Sequence, residues 1–242
     1  MESKKYLIGG KLGDFIHALI VCKYEYELSG KKADIYISNR GDAFRHGVEH
    51  TYNEILPILS KQNWFNSLNI FNNQICDFSL CDVRGSSLLY KKSWIEIYLE
   101  TYHKLSEKDI PLEYSWINIP EKKNELSDSL IINRSNTGAL TKETILEYEK
   151  IIETYSSIYF VCYDVSQYDS FLFKNNVKIL QVKDLYEMFV IINSGKMYLG
   201  NLSAPSAIAT SLNVKRAVEL HRPDDMHYRG DSKYYKNFTA IG

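Results

Sequence analysis

The sequence is poor in several features that mark particular classes of protein. It has four cysteines among 242 residues, and none of them forms a Cys-x-x-Cys pair or a cysteine–histidine group with zinc-ligand spacing. No apolar run approaches the ~20 residues that a membrane span needs, and the start of the chain has too short an apolar run for a signal peptide. We therefore expect a cytoplasmic protein with reduced thiols and at most peripheral contact with a membrane.

An excess of charge of one sign is also missing. The chain has 29 lysines and arginines against 30 aspartates and glutamates, and the two signs are interspersed. A protein that binds nucleic acid needs a basic face, so we expect no nucleic-acid partner. Hydrophobic residues make up 45% of the chain, which is enough for a core in one large or two small domains.

What the sequence does contain is an alternation of apolar strand patterns with helical stripes, and this alternation occurs twice. Between the two runs lies a polar segment, residues 106–128, which holds two of the five prolines and which we interpret as the linker between two domains. Alternating strands and helices predict parallel sheets with right-handed crossovers, and hence an α/β fold. We predict a first domain over residues 1–120 and a second over residues 121–242. The aromatic and charged tail from Pro223 can cross back onto the first domain.

The individual elements follow from the spacing of the apolar residues. Strands are predicted at residues 4–9, 33–38, 68–71, 129–133, 158–162, 177–180, 196–199 and 216–220. Helices are predicted at residues 14–28, 51–62, 91–105, 141–155, 166–173, 184–193 and 203–212. Residues 75–90 are ambiguous, and a short strand around residues 114–117 is a further candidate.

Two of the predicted strand-to-helix turns end in small residues, and they lie almost a chain length apart. The first spans residues 5–14 and the second spans residues 196–205. Each places a helix N-terminus at the carboxyl end of a strand, where ligands bind in open α/β sheets. The unpaired amide groups and the helix dipole there favour an anion such as a phosphate or a diphosphate. One such turn in each half predicts two nucleotide-type half-domains that face each other.

Two common nucleotide-binding motifs do not match. Gly9, Gly10 and Gly13 resemble the Gly-x-Gly-x-x-Gly fingerprint only loosely, because Ile8 stands where its first glycine should be. The acidic residue expected after the second strand is absent, since residues 38–39 are serine and asparagine. No P-loop pattern occurs either. An NAD-dependent dehydrogenase is therefore not favoured.

Asp14 is the leading candidate for chemistry. A carboxylate on a glycine turn at the mouth of a cleft can take a proton from an acceptor hydroxyl. Aspartate is also a preferred helix N-cap, so a purely capping role is the alternative. His17 lies one turn further along the same helix. It is either a second polar group in the cleft or a satisfied partner within the helix packing.

Arg134 follows the predicted strand at residues 129–133. A guanidinium at the carboxyl end of a strand suits bidentate binding of a diphosphate, and an arginine on a surface loop is the alternative.

Residues 200–205 form the stronger of the two turns, because small residues let a phosphate approach the backbone. Ser203 in this turn can cap the helix or donate to the ligand. The alternative to a phosphate-binding turn is an ordinary strand-to-helix turn with a well-made cap.

Two acids and two histidines near the C-terminus could be read as a metal site. They lie on an irregular segment without ligand spacing, so a solvated loop is the preferred interpretation and no metal is predicted. These residues are His221, Asp224, Asp225 and His227.

Together, the two turns resemble those of the GT-B glycosyltransferases, and most closely the lipopolysaccharide heptosyltransferase-like group (glycosyltransferase family 9). That family opens with a strand, a Gly-Asp turn and an apolar helix, which residues 12–19 match. Its second domain has a helix, a strand, a small-residue turn and a small-residue helix, which residues 184–209 match. The resemblance implies two Rossmann-like domains with parallel sheets that face each other across a cleft.

The resemblance also implies roles for single residues. Asp14 matches the catalytic base, and residues 200–204 match the turn that holds the diphosphate and sugar of the donor. Arg134 and the two residues after it match the loop beside the donor phosphates, and residues 163–164 stand where the nucleoside would lie. The residues predicted to bind substrate are Gly13, His17, Arg134, Ser135, Asn136, Tyr163, Asp164, Gly200, Asn201, Leu202, Ser203 and Ala204.

The sequence departs from the family pattern at several points. Ser206 stands where the family usually has histidine, and Ala204 stands where it often has a second glycine. The lysine of the phosphate loop has no clear counterpart, although Arg134 can substitute for it. The chain is also shorter than a typical member. Arginine at a strand end also resembles fucosyltransferase-like GT-B enzymes, which leaves the donor open.

The implied function is transfer of a sugar from a nucleotide-diphosphate donor to a hydroxyl of a glycan or lipid-linked acceptor. The resemblance implies that no metal or other cofactor takes part and that the anomeric centre is inverted. A sugar-nucleotide epimerase on the same fold is one alternative. A non-catalytic nucleotide-sugar-binding protein is the other, because the chain is short and the family histidine is missing.

Overall fold

The computed structural model describes residues 2–40, 44–135, 140–220 and 230–242. The strands of the first half are β1 (Lys4–Ile8), β2 (Ala33–Ile37), β3 (Phe65–Ile70) and β4 (Phe78–Ser79). Its helices are α1 (Leu12–Ser29), α2 (Val48–Leu59) and α3 (Trp94–His103), and a 3₁₀ helix (Val83–Gly85) follows β4. The strands form one parallel sheet in the order β3-β2-β1-β4, which places the end of β4 beside the end of β1.

The helices of the first half carry local start and stop signals. α1 ends at Gly30, which has a left-handed φ of 71° and donates its N–H to Tyr26 O at 2.8 Å. α3 begins after Ser93, and the side chains of Ser93 and Glu96 each accept the other's backbone N–H in a capping box. Residues 14–22 of α1 are all buried, because this helix lies between its own sheet and the second half of the chain.

The second half contains a larger parallel sheet. Its strands are β5 (Leu130–Asn133), β6 (Ile158–Cys162), β7 (Val177–Gln181), β8 (Met197–Asn201), β9 (Arg216–Glu219) and β10 (Phe238–Ile241). Its helices are α4 (Lys142–Ile152), α5 (Ser166–Asp169), α6 (Leu185–Ser194) and α7 (Ala204–Ser211). The six strands lie in the order β10-β9-β8-β5-β6-β7. The predicted α/β fold with two parallel sheets is therefore confirmed.

The structure differs from the predicted elements in a few places. The helix predicted at residues 166–173 is a single turn, α5, and the segment after it turns inward to bury Phe171. The strand considered at residues 114–117 does not form, and β10 was not predicted.

The polar segment predicted as a linker contributes to the core. Ile110, Trp116, Ile117 and Ile119 are buried, and Trp116 lies between α1 and α7. Its indole Nε1–H donates to the carbonyl of Ile16 in α1 at 2.7 Å, and its backbone N–H donates to the carbonyl of Ser211 in α7 at 3.1 Å. The connection between the halves is thus part of their interface.

The described part of the C-terminal tail, residues 230–242, contacts the first half before it joins the second sheet. The backbone N–H of Glu113 donates to Tyr234 O at 2.8 Å, and the Lys233 ammonium lies 3.2 Å from the Glu107 carboxylate. β10 then pairs with β9 at the edge of the six-stranded sheet. The domain boundary at residues 120–121 remains a prediction.

Within the described ranges, no helix is both long enough and apolar enough to cross a membrane. All four cysteine thiols are free, and three of them are buried.

Candidate functional site

The first turn lies at the carboxyl end of β1 and depends on its glycines. A methyl group on Gly9 would lie 2.4 Å from the carbonyl oxygen of Arg40, so only glycine allows the ends of β1 and β2 to approach this closely. Gly10 has a φ of +97°, a left-handed conformation that most residues avoid. The chain can therefore turn sharply into α1 and bring Asp14 to the edge of the sheet.

Asp14 lies in the first turn of α1 and is almost inaccessible to water, with 7% of its surface exposed. Arg84 donates to its Oδ2 oxygen from both Nε and Nη2, each at 2.7 Å. The backbone N–H of Lys11, the residue before the helix, also bonds the carboxylate. Burial raises the pKa of Asp14 above its usual value, and the interactions with Arg84 and Lys11 only partly offset this rise. The result is a buried, ion-paired carboxylate with increased basicity.

The second turn lies at the carboxyl end of β8. A methyl group on Gly200 would lie 2.1 Å from Asn133 O and 2.4 Å from the Tyr198 hydroxyl, so β5 and β8 also approach too closely for a side chain. Asn201 is fully buried, and its amide accepts from Ser135 N and donates to Ser135 O, both at 3.0 Å. These hydrogen bonds hold Ser135, the residue after Arg134, against the turn at residues 200–204.

The start of α7 is capped from within the helix. Ser206 accepts the backbone N–H of Ser203 at 3.1 Å and donates its hydroxyl to Ser203 O at 2.7 Å. Ser206 is 2% exposed. Ser206 therefore caps α7, at a position where the resemblance to glycosyltransferases leads us to expect a histidine.

The two turns meet. A methyl group on Gly13 would lie 3.8 Å from the backbone nitrogen and Cα of Ala204, and 3.9 Å from Cβ of Ala207. The N-terminal ends of α1 and α7 are therefore in contact, at the carboxyl edges of two different sheets. Both helix dipoles direct their positive ends to this junction, which favours a bound anion.

Arg134 is neither on the surface nor exposed at the edge. It forms a two-point ion pair with Glu219 at the end of β9, with Nε–Oε2 at 2.8 Å and Nη2–Oε1 at 3.0 Å. The Tyr148 hydroxyl donates to the same Glu219 carboxylate at 3.1 Å. Arg134, which was predicted to bind the phosphates of the donor, is therefore already paired with a carboxylate in this structure. The available signal for Glu219 was an acidic residue within the predicted strand at residues 216–220.

Tyr163 and Asp164 follow β6 at the same edge of the second sheet. The Tyr163 hydroxyl donates to Oε2 of Glu54, a residue of α2 in the first half, at 3.3 Å. The same oxygen accepts the backbone N–H of Leu185 at the start of α6, at 2.7 Å. Asp164 accepts the N–H of Ser166 at 2.9 Å, and the hydrogen bonds from Ser166 lower the pKa of Asp164. Glu54 thus joins the two halves beside the predicted nucleoside site.

Two other predicted residues are not brought into this group. His17 is 3% exposed and stacks on the Trp94 ring with centroids 5.4 Å apart, so it lies in the interior. We do not include His17 in the proposed site. Asn136 lies outside the described residues, as do the four residues weighed as metal ligands, which are His221, Asp224, Asp225 and His227.

No set of three or more potential metal ligands was found in the described ranges. Reaction without a metal remains a prediction. Arg84 and Glu54 were not predicted from the sequence. Arg84 had only a weak signal, because it is a charged residue in the segment 75–90, which the sequence left ambiguous. Glu54 had no signal, because an acidic residue on an amphipathic helix is most often only a solvated side chain.

Comparison with known proteins gives structural matches only. No protein-family model matches the sequence, and no curated protein sequence matches it. The E. coli heptosyltransferase WaaC with ADP has a TM-score of 0.64 at 10% identity, covering 98% of this chain and 92% of WaaC. The E. coli ADP-heptose lps heptosyltransferase II gives 0.61 at 10% identity, with 98% and 90% covered.

A glycosyl transferase family 9 protein from Veillonella parvula gives a TM-score of 0.61 at 11% identity, with 100% of this chain and 87% of that chain covered. At such low identity, these likenesses establish the fold and not the activity. The chain therefore has the fold of these glycosyltransferases, the GT-B arrangement of two facing α/β halves.

Proposed function

We propose that the protein is a glycosyltransferase that moves a sugar from a nucleotide-diphosphate donor to a hydroxyl acceptor. The observation that carries this proposal is the contact between the two glycine turns, which brings Asp14 and residues 200–204 to one junction. The fold shared with heptosyltransferases supports it. WaaC was solved with ADP and with ADP-2-deoxy-2-fluoro heptose, so ADP-heptose is the first donor to test here.

In this proposal the second half binds the donor. The turn at residues 201–204 and the N-terminus of α7 stabilise the diphosphate, and Asn201 holds Ser135 beside it. Tyr163 and Asp164 lie beside the nucleoside. Arg134 contributes positive charge to the same edge, although Glu219 balances part of that charge. We retain Gly13, Ser135, Asn136, Tyr163, Asp164, Gly200, Asn201, Leu202, Ser203 and Ala204 as proposed contacts.

Asp14 acts on the acceptor. Its carboxylate takes the proton of the acceptor hydroxyl, whose oxygen attacks the anomeric carbon while the bond from that carbon to the diphosphate breaks. The raised pKa of Asp14 makes it a stronger base than an ordinary carboxylate. The amide dipoles at the α7 terminus stabilise the charge on the departing diphosphate. A single displacement of this kind inverts the anomeric centre and requires no metal.

The acceptor in this proposal is a hydroxyl of a glycan or a lipid-linked glycan. A cytoplasmic location, peripheral membrane contact at most and the lack of a nucleic-acid partner remain predictions from the sequence.

Donor binding can be tested by thermal shift with a panel of nucleotide sugars that includes ADP-heptose. A ligand at a hundred times its Kd should add ~2.7 kcal/mol to the free energy of unfolding. Ser203→Asp should abolish the shift, because it adds a negative charge where the diphosphate would lie and still provides an N-cap. Ser170→Asp makes the same charge change on an exposed turn and should leave the shift intact.

Catalysis can be tested with Asp14→Asn. We expect transfer to fall by about 100-fold or more, since general-base catalysis typically contributes at least that factor. Donor binding should persist. A loss of no more than about tenfold would remove Asp14 as the base. Isomerised donor without any acceptor would indicate an epimerase, and donor binding without turnover would indicate a binding protein.

A further inference from the structure

Arg84 was not singled out by the sequence, yet it makes the closest charged contact with Asp14. It lies in the 3₁₀ helix Val83–Gly85 that follows β4, the neighbour of β1 in the sheet. Both Nε and Nη2 of its guanidinium lie 2.7 Å from Oδ2 of Asp14. The Arg84 side chain is 46% exposed and that of Asp14 is 10% exposed, so the pair spans from solvent into the protein.

The other groups around Asp14 cannot replace this contact. From its own turn, Lys11 contributes a backbone N–H and a more weakly acting charge. From α3, the Tyr98 hydroxyl donates to the backbone carbonyl of Asp14 at 3.2 Å and not to the carboxylate. From α7, the residues that approach the turn are Ala204 and Ala207, which carry no charge. Among the described residues, Arg84 is therefore the cation that hydrogen-bonds the carboxylate through its side chain.

A carboxylate that is removed from water tends to take up a proton unless a positive charge opposes this. A protonated Asp14 could not accept a proton from an acceptor. Two N–H donors on one oxygen also fix the orientation of the carboxylate, which a lone charge at longer range would not do.

We propose that Arg84 is a positioning residue for Asp14, which orients the carboxylate and keeps it ionised at neutral pH so that it can act as a base. The inference rests on the proposed function. It goes beyond that function because it assigns control of the base to a residue in a different element.

The direct test is a titration of the Asp14 carboxyl by ¹³C NMR, with its signal assigned by loss in Asp14→Asn. In Arg84→Gln, the midpoint should move to higher pH than in the wild-type protein, because an opposing cation has been removed. Arg84→Lys should give an intermediate midpoint, because it restores the charge without the two-point contact. Arg40→Gln is the matched control: it removes an arginine that stacks on Phe71, and its midpoint should equal that of the wild type.

The second readout is the pH dependence of kcat/KM for transfer. In Arg84→Gln, kcat/KM at neutral pH should fall about tenfold or more and recover at alkaline pH, where Asp14 is ionised without help. A uniform loss at every pH, with no displacement of the acidic limb, would reduce Arg84 to a structural role and overturn the inference.

The titration needs no substrate, so the two proposals can fail separately. An Asp14 midpoint that is the same in the wild type, Arg84→Gln and Arg84→Lys overturns the role of Arg84, whatever the protein catalyses. A midpoint that moves as expected, in a protein that turns over no donor, supports the charge control by Arg84 and counts against the transferase alone.

Discussion

Arg134 and Glu219 form a two-point ion pair where water hardly reaches, since their side chains are 9% and 3% exposed. The planar guanidinium matches the carboxylate with two parallel contacts, and Tyr148 adds a third hydrogen bond. The pair joins the ends of β5 and β9, which flank β8 in the sheet. It therefore braces the edge of the sheet on which we place the donor.

Removal of one partner of this pair should do more harm than removal of both. Glu219→Ala leaves a buried guanidinium without its counter-ion, and we expect a loss of about 3–5 kcal/mol in the free energy of unfolding. The double variant Arg134→Met with Glu219→Leu should recover most of that loss, because no buried charge remains. Urea unfolding measures the free energy of unfolding of both variants. Equal losses in the single and the double variant would contradict this account.

Gly200 should not tolerate even the smallest side chain. In Gly200→Ala the new methyl group would meet Asn133 O and the Tyr198 hydroxyl, so the strands must separate. We expect a loss of about 1–3 kcal/mol, as in other overpacked cores. Gly85→Ala is the control, since its methyl group would meet nothing within 4 Å. Thermal unfolding should show a lower Tm for the first variant and an unchanged one for the second.

At the scale of elements, α2 and α6 are joined across the two halves by one carboxylate. Oε2 of Glu54 accepts the first N–H of α6 and the Tyr163 hydroxyl. The N–H is one of the donors that a helix cannot satisfy internally, and the helix dipole favours a negative charge beside it. Glu54 therefore stabilises the relative position of the halves next to the proposed nucleoside site.

Glu54→Gln should weaken this link modestly. The amide can still accept the N–H of Leu185, but the charge that interacts with the α6 dipole is lost. We expect a loss of about 0.3–1 kcal/mol, which should shrink as salt is added. Asn53→Ala changes an exposed neighbour on the same helix and serves as the control. If the loss in Glu54→Gln were equal at low and high salt, the electrostatic explanation would be wrong.

Most elements could be predicted from the sequence, because the spacing of apolar residues within a short segment indicates whether it forms a strand or a helix. α1, α6 and α7 begin and end within a few residues of their predicted bounds. β10 was missed because its four residues follow an aromatic, charged segment and gain their pairing only from distant β9. Residues 114–117 were considered as a strand, but Trp116 and Ile117 direct their N–H groups to the end of α7 instead of to a sheet.

The candidate site was only partly predictable, because the sequence shows local patterns but not which distant residues pair. The turns that carry Asp14 and residues 200–204 have a local pattern of glycines and small residues, so they stand out in the sequence. Arg84, Glu54 and Glu219 lie 70, 131 and 85 positions from their partners Asp14, Leu185 and Arg134. No local pattern encodes such a pairing, and it appears only when the sheets bring distant strand ends together.

At the scale of the whole molecule, the segment that connects the halves behaves as part of the core. Trp116 is 2% exposed and bonds both α1 and α7, and the described tail packs against the same segment through Tyr234. Any movement of one half relative to the other must therefore turn about this packed region. The two halves share apolar surface, so we expect them to unfold together.

Trp116→Ala tests this coupling. Loss of a buried tryptophan should lower the free energy of unfolding by about 3–5 kcal/mol, and it should separate one unfolding transition into two if Trp116 couples the halves. Leu112→Ala is the control in the same segment, because Leu112 is 66% exposed and its removal should change stability by no more than about 0.5 kcal/mol. Calorimetry distinguishes a single unfolding transition from two separate ones. A small loss with a single transition would contradict the role of Trp116.

The shared packing around Trp116 has a practical consequence. A polypeptide cut after Pro120 would yield one fragment with α1 uncovered and another with α7 uncovered, and each would expose an apolar surface that is buried in the intact chain. We expect either fragment alone to aggregate and the two together to reassemble when they are co-expressed. The protein should thus lend itself to fragment complementation, in which the proposed sugar-nucleotide turnover reports the reunion of the pieces.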